Sequence, residues 1–293
     1  MDNMNMELYR IVSLEGFLSL IYNKSERFVR PMDEWEDTYE GHMLHLLDDE
    51  AGEKQLLNRL YEVILHRHIK DSIRNYVKLL HARYLCYGQC WSTQKDSDAM
   101  WRIYSYDAKA IQLVTTVSQL QDCITQSSDW DGKRPRIEKV QYDASESLDD
   151  NLEYFVQGMY VDEPYFHKRS EFKHELEVRV ILNDKNRYGV IPSLWCDMLE
   201  INYAFEDKEN PELPFEDKVL RAAQKLRGKD RKLTHLQEAP SELFIKIHDF
   251  GDYIYGIRVH PMAKEWYVGL IHQICNQHKI RFLGQSELYK AIR

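Results

Sequence analysis

No two cysteines in this 293-residue chain stand at the CxxC spacing, and their total is odd: Cys86, Cys90, Cys123, Cys196 and Cys275. That pattern excludes a disulfide framework and argues for free thiols in a reducing compartment. No stretch approaches the roughly eighteen consecutive apolar residues of a membrane helix. The opening MDNMNMELYR is polar and acidic, unlike a secretory signal. A soluble, cytoplasmic protein without a membrane partner is therefore expected. With only 12 glycines there is no glycine-rich phosphate loop, which argues against a kinase or an ordinary NTPase. The 12 histidines include no HExxH and no arrangement with cysteine that signals zinc. Net charge is −9 and the sequence pI about 5.8, so the whole molecule has no general attraction for nucleic acid. Internal repeats and low-complexity tracts are also missing.

What is present is globular: 43% hydrophobic and 30% charged residues. The pattern predicts one domain over residues 1–293. ELYRIVS (7–13) alternates like a strand, and LEGFLSLIYN (14–23) has apolar residues at helical spacing. From Glu50 to Arg83, Leu56, Leu60, Ile64, Ile69, Ile73, Val77 and Leu80 recur every three to five residues, predicting a helical insertion at 50–83. This reads as one long helix, or two broken near His66–His68. YGQCWSTQ, AIQLVTT, RIEKVQY, LEVRVIL, LFIKIHDF and YIYGIRVHP read as strands. DSDAMWRIY, VSQLQDCITQ and the segment from Ala263 to about Gln277 read as helices, and SESLDDN as an acidic loop. Residues 200–240 are a charged excursion, with a Lys/Arg-dense helix over Lys218–Lys232. Strands outnumber long helices without alternating regularly with them, so an α+β fold with a mixed central sheet is expected.

Three short elements carry chemistry. Arg10 sits inside an otherwise apolar strand, and its guanidinium needs an anion: a phosphate-bearing ligand, or an acid of the Asp33–Glu40 segment. Ser92 and Thr93 end a strand, where hydroxyls bind a ligand or cap the following turn. Glu175 and Glu177, two apart on a strand, would share one face; their repulsion should raise the proton affinity of at least one. Arg179, two further along, is placed to relieve that repulsion.

These elements lie within a longer pattern. It comprises Arg10; Pro31, Trp35, Asp37 and Glu40; Cys90, Ser92, Met100, Trp101 and Tyr104; and Lys168, Phe172, Glu175, Glu177 and Arg179. Over about residues 7–183 it resembles an uncharacterised bacterial family, the domain of unknown function 2971. The order Arg, Ser-Thr, Glu-x-Glu is also similar to the R-S-E class of ADP-ribosyltransferases. It departs from that class at Gln94, where a second serine is common, and at Ile11, where a glycine often follows the arginine.

The second resemblance implies an ADP-ribosyltransferase-like split sheet, NAD as substrate, and transfer of ADP-ribose to a macromolecular acceptor or hydrolysis of NAD. By that likeness Arg10 grips the phosphates or ribose, while Ser92 and Thr93 hold the nicotinamide ribose and brace the second glutamate. Glu177 stabilises the charge that develops as nicotinamide leaves, Glu175 acts as base, and Tyr104 or Trp101 stacks on the nicotinamide ring. A toxin or anti-phage role with a regulatory protein partner would suit the likeness.

Two other classes stay open. The acids Asp33, Glu34, Glu36, Asp37 and Glu40 could hold a divalent metal for a nuclease or phosphodiesterase, or could form a solvated loop. A non-enzymatic binding module would use the 50–83 helix against a partner, or the Lys218–Lys232 helix against nucleic acid phosphates.

Overall fold

A computed structural model describes residues 3–37, 39–63, 69–127, 134–145, 147–158, 160–184, 217, 221 and 239–290. The charged excursion at 200–240 and the basic Lys218–Lys232 helix lie almost wholly outside these residues. The fold is mixed α/β around an open sheet of nine strands. In chain order these are β1 (Glu7–Val12), β2 (Ser25–Val29), β3 (Cys86–Ser92), β4 (Ile111–Thr116), β5 (Arg136–Lys139), β6 (Glu177–Asn183), β7 (Glu242–Lys246), β8 (Gly256–Val259) and β9 (Phe282–Gln285). The main path runs β5-β6-β3-β1-β4-β8-β9, with β2 and β7 branching from β3. Pairing is antiparallel except for β8 with β9, which is parallel. The sheet is therefore mixed, as the sequence suggests.

The branch positions the cleft. On one edge β3 pairs with β6 along its whole length, from Cys86–Asn183 to Ser92–Glu177. On the other edge β1 meets β3 at Tyr9–Ser92, and β2 meets it at Val29–Gly88. The sheet forks between those two points, with Gln89, Cys90 and Trp91 at the crotch. Helix α1 (Leu14–Asn23) joins the prongs. Ser13 caps its start, accepting from the Gly16 amide at 3.1 Å, and Lys24 ends it in the left-handed region at φ 49°.

Two apolar cores flank the sheet. One gathers Leu8, Phe17, Trp91, Leu113, Val180 and Ile257 with the helix Glu265–Gln277. The other lies among α3 (Glu50–Val63), α4 (Ile69–Leu85) and α7 (Leu148–Gln157), where Leu56, Leu60, Val77, Leu80, Leu152 and Phe155 pack. The 50–83 periodicity thus gives two helices, with residues 64–68 between them outside the described set. Helix α7 begins inside the segment expected as an acidic loop. Its Ser147 accepts from the Asp150 amide at 3.3 Å, so the serine and aspartates of SESLDD form a helix N-terminus.

Candidate active site

A cleft of about 550 Å³ opens at the fork. Arg10, Ser92, Tyr104, Glu175 and Glu177 all line it, so segments remote in the chain meet there as expected. Thr93 is not among the lining residues: its amide and hydroxyl both donate to the Leu176 carbonyl, at 3.0 and 3.3 Å. The structure thus gives Thr93 a backbone-bracing role and no ligand-facing one. Ser92 braces the other glutamate from the one expected. Its hydroxyl donates to the Glu175 carbonyl oxygen at 2.6 Å and accepts from the Gln94 amide at 3.0 Å.

Glu175 and Glu177 share the cleft, but not by strand pleat. Glu175 ends a 3₁₀ helix, Ser170–Glu175, and β6 begins only at Glu177. Leu176 between them is left-handed at φ 44°, and this brings both carboxylates to the same cation. Lys168 Nζ lies 2.6 Å from Glu175 Oε2, 3.1 Å from Glu177 Oε2 and 3.1 Å from Glu40 Oε1. Arg179, fully buried, donates to Glu177 Oε1 at 2.9 Å, to Glu40 Oε2 at 2.5 Å and to the Tyr165 carbonyl at 2.6 Å. The Trp35 ring covers the guanidinium at 4.1 Å. Trp35 comes that close because residue 88 is glycine: a Cβ there would meet its ring at 2.7 Å.

Three carboxylates thus face two cations in a buried wall. Burial alone would raise Glu177, but Arg179 and Lys168 outweigh it and hold the carboxyl at about 2. Repulsion does not raise this pair member, contrary to the sequence expectation. Burial instead raises Glu40, outweighing Arg179 and Lys168, so the excess proton affinity of the wall resides there. Burial and the neighbouring Glu177 charge push the Cys90 thiol well up, so it is a neutral hydrogen-bonding group and not a nucleophile.

Across the fork, Arg10 pairs with Glu26 on β2, Nη1 to Oε1 at 3.0 Å, rather than with the Asp33–Glu40 segment. Tyr253 donates to the other Glu26 oxygen. Glu26 and Phe28 are the two inward-facing residues of β2, an alternation visible in SERFV that marks Glu26 as a buried acid. Neither Glu26 nor the clamping role of Lys168 is signalled by a motif.

The acids of the possible metal cluster are mostly taken by basic groups. Asp33 pairs with Arg30 and Arg83, Glu34 with Arg27, Asp37 with Arg169, and Glu40 with Arg179 and Lys168. Among the described residues no group of three His, Cys, Asp or Glu is placed to hold a metal ion. Nor is any described helix long and apolar enough to cross a membrane. Comparison of the chain with protein-family models, with curated proteins and with solved structures finds no match.

Proposed function

We propose that the cleft is the active site of an ADP-ribosyltransferase-like enzyme that takes NAD and transfers ADP-ribose to a macromolecular acceptor. The observation that carries this reading is the meeting of Arg10, Ser92 and the Glu175–Glu177 pair around one cleft large enough for a nucleotide. A mixed sheet that forks at the cleft supports the same reading.

In this reading the ribosyl carbon faces Glu177. The bond to nicotinamide breaks with its electron pair leaving on the ring nitrogen, and positive charge grows on the ribose. A carboxylate that stays ionised down to about pH 2 beside the ribosyl carbon favours that state over the ground state. Burial holds it fixed, so no reorganisation is needed as charge develops. Arg10 has 24% of its side chain exposed and is free to exchange part of its contact with Glu26 for a phosphate. Tyr104, with 47% exposure, offers a ring at the mouth for stacking. Glu175 takes the proton of the acceptor nucleophile as it bonds to the ribosyl carbon.

The test is incubation with NAD labelled in the adenylate moiety, wild type beside Glu177→Gln, with protein, RNA and DNA acceptors supplied and nicotinamide release followed. Wild type should transfer label or release nicotinamide, and Glu177→Gln should lose at least a hundredfold while keeping the native circular dichroism spectrum. Absence of both products with every acceptor, including lysate of phage-infected cells, would overturn the reading.

A further inference from the structure

We propose that Lys168 is the positioning residue of this site: its ammonium latches the Glu175 carboxylate beside that of Glu177. For its catalytic consequence the inference rests on the reading above; its electrostatic content does not. The ammonium has three N–H donors, and three carboxylates, Glu40, Glu175 and Glu177, lie within 2.6–3.1 Å of it. The three glutamates differ in what else holds them. Glu177 also has Arg179, while its amide is fixed by the Tyr142 hydroxyl at 2.8 Å. Glu40 also has Arg179. For the Glu175 carboxylate, Lys168 is the ion-pair partner among the described residues. Removing the ammonium therefore strips Glu175 while sparing part of the hold on the other two.

Lys168 is itself rigidly placed. Its amide donates to the Gln141 carbonyl at 2.9 Å, and its carbonyl accepts from the Ala144 amide at 3.2 Å. The neighbouring His167 pairs with Asp143 at 2.8 Å, closing the same turn. The Phe172 ring covers the ammonium at 4.6 Å. A lysine pinned at backbone and head has little freedom to be a mobile proton carrier, so its role is to fix the charges around it. The other titratable or charged groups facing the latch are Arg179 on β6, Cys90 on β3, Tyr142 on the 141–144 turn and Tyr104 on α5 (Asp98–Tyr104). None of them supplies a second cation to Glu175.

Taking Lys168 away leaves three buried carboxylates facing one guanidinium. Of the three, Glu175 is then the one without a cationic partner among the described residues, so removing the ammonium changes its surroundings most. In the proposed reaction a protonated Glu175 cannot accept the acceptor's proton, so activity should fall on the acid side first.

The experiment uses the full chain as wild type, Lys168→Met and Lys168→Arg, with glutamates carrying ¹³C at the side-chain carboxyl. The three signals are assigned by single substitution to Gln. In Lys168→Met the Glu175 signal should titrate at least one to two pH units higher than in wild type, and Lys168→Arg should restore most of the difference. The acid limb of the transfer rate should move up by a similar interval in Lys168→Met, with kcat affected more than KM. An unchanged Glu175 titration in folded Lys168→Met overturns the inference, whatever the activity. A shifted titration in protein that never consumes NAD upholds the latch and overturns the enzymatic reading instead. Should Lys168→Met not fold, Lys168→Gln, which retains two N–H donors without the charge, is read by the same criterion.

Discussion

Two arginines line the cleft, and they are held in opposite ways. Arg179 on β6 has no exposed surface and meets two carboxylates, a backbone carbonyl and an indole face. Arg10 on β1 keeps 24% of its side chain exposed and has Glu26 as its ion-pair partner, with the Trp91 ring 5.9 Å away. A buried guanidinium with its donors spent is a structural cation, whose removal strands the charges it balanced. A partly exposed side chain with one ion-pair partner is able to change partners. The comparison assigns Arg179 to holding the site and Arg10 to meeting the ligand, although both read in the sequence as an arginine among apolar strand residues.

The sharpest way to break this distinction is to remove Arg179. Arg179→Met leaves Glu177 and Glu40 buried with Lys168 as their shared cation. We expect a loss of about 3–5 kcal/mol in unfolding free energy by urea titration. Arg179→Lys retains charge but not the fork that reaches Glu177, Glu40 and the Tyr165 carbonyl at once, and should recover only part of that loss. A loss below about 1 kcal/mol in Arg179→Met would show that the wall is not held as described.

Next in size is the pH dependence of the same wall. Glu177 has its carboxyl lowered from 4.5 to about 2 in the folded protein. The folded state therefore binds this proton less readily than the unfolded chain does. The stabilisation is fully present above about pH 4.5 and fades as the pH falls towards 2. A shift of this size corresponds to a few kcal/mol for so buried a group. Glu177→Gln should be less stable than wild type at pH 7, and the difference should shrink steadily below pH 4.5. Parallel acid-unfolding curves would mean that Glu177 is not the ionised member of the wall.

Much of the scaffold was legible in the sequence, because period-two and helical patterns report directly on burial. ELYRIV, CYGQCWS, IQLVTT and EVRVILN are strands where alternation or apolar runs put them, and α1, α5 and the helix Glu265–Gln277 follow their apolar spacing. The convergence of Arg10, Ser92, Glu175 and Glu177 follows from β1, β3 and β6 belonging to one central sheet, and all four residues line one cleft. What escaped was geometry fixed by tertiary partners. The strand reading of Glu175 and Leu176 failed because Leu176 is left-handed, a conformation that a leucine does not advertise. The expected rise in proton affinity is absent at Glu177 because Arg179 and Lys168, which the pattern does not place in space, both reach its carboxylate. SESLDD was read as a loop since its acids suggested solvent, whereas the same residues suit the first turn of α7.

The smallest expected effect is at Arg10, and it tests the comparison from its other side. Arg10→Gln removes a charge that is partly in water, so the direct loss is modest; the cost lies in Glu26, which stays buried with the Tyr253 hydroxyl and the Arg27 amide as donors. Those hydrogen bonds, and the option of taking up a proton, limit the destabilisation to about 1–2 kcal/mol. Arg10→Gln combined with Glu26→Gln should return most of it, since the double variant leaves no unbalanced charge. Binding should respond differently. If Arg10 is the ligand-facing arginine, both variants bind NAD at least tenfold more weakly by calorimetry, and rescuing stability with Glu26→Gln does not rescue affinity. Recovery of affinity along with stability would make Arg10 a second structural cation and leave the cleft without the group proposed to grip phosphate.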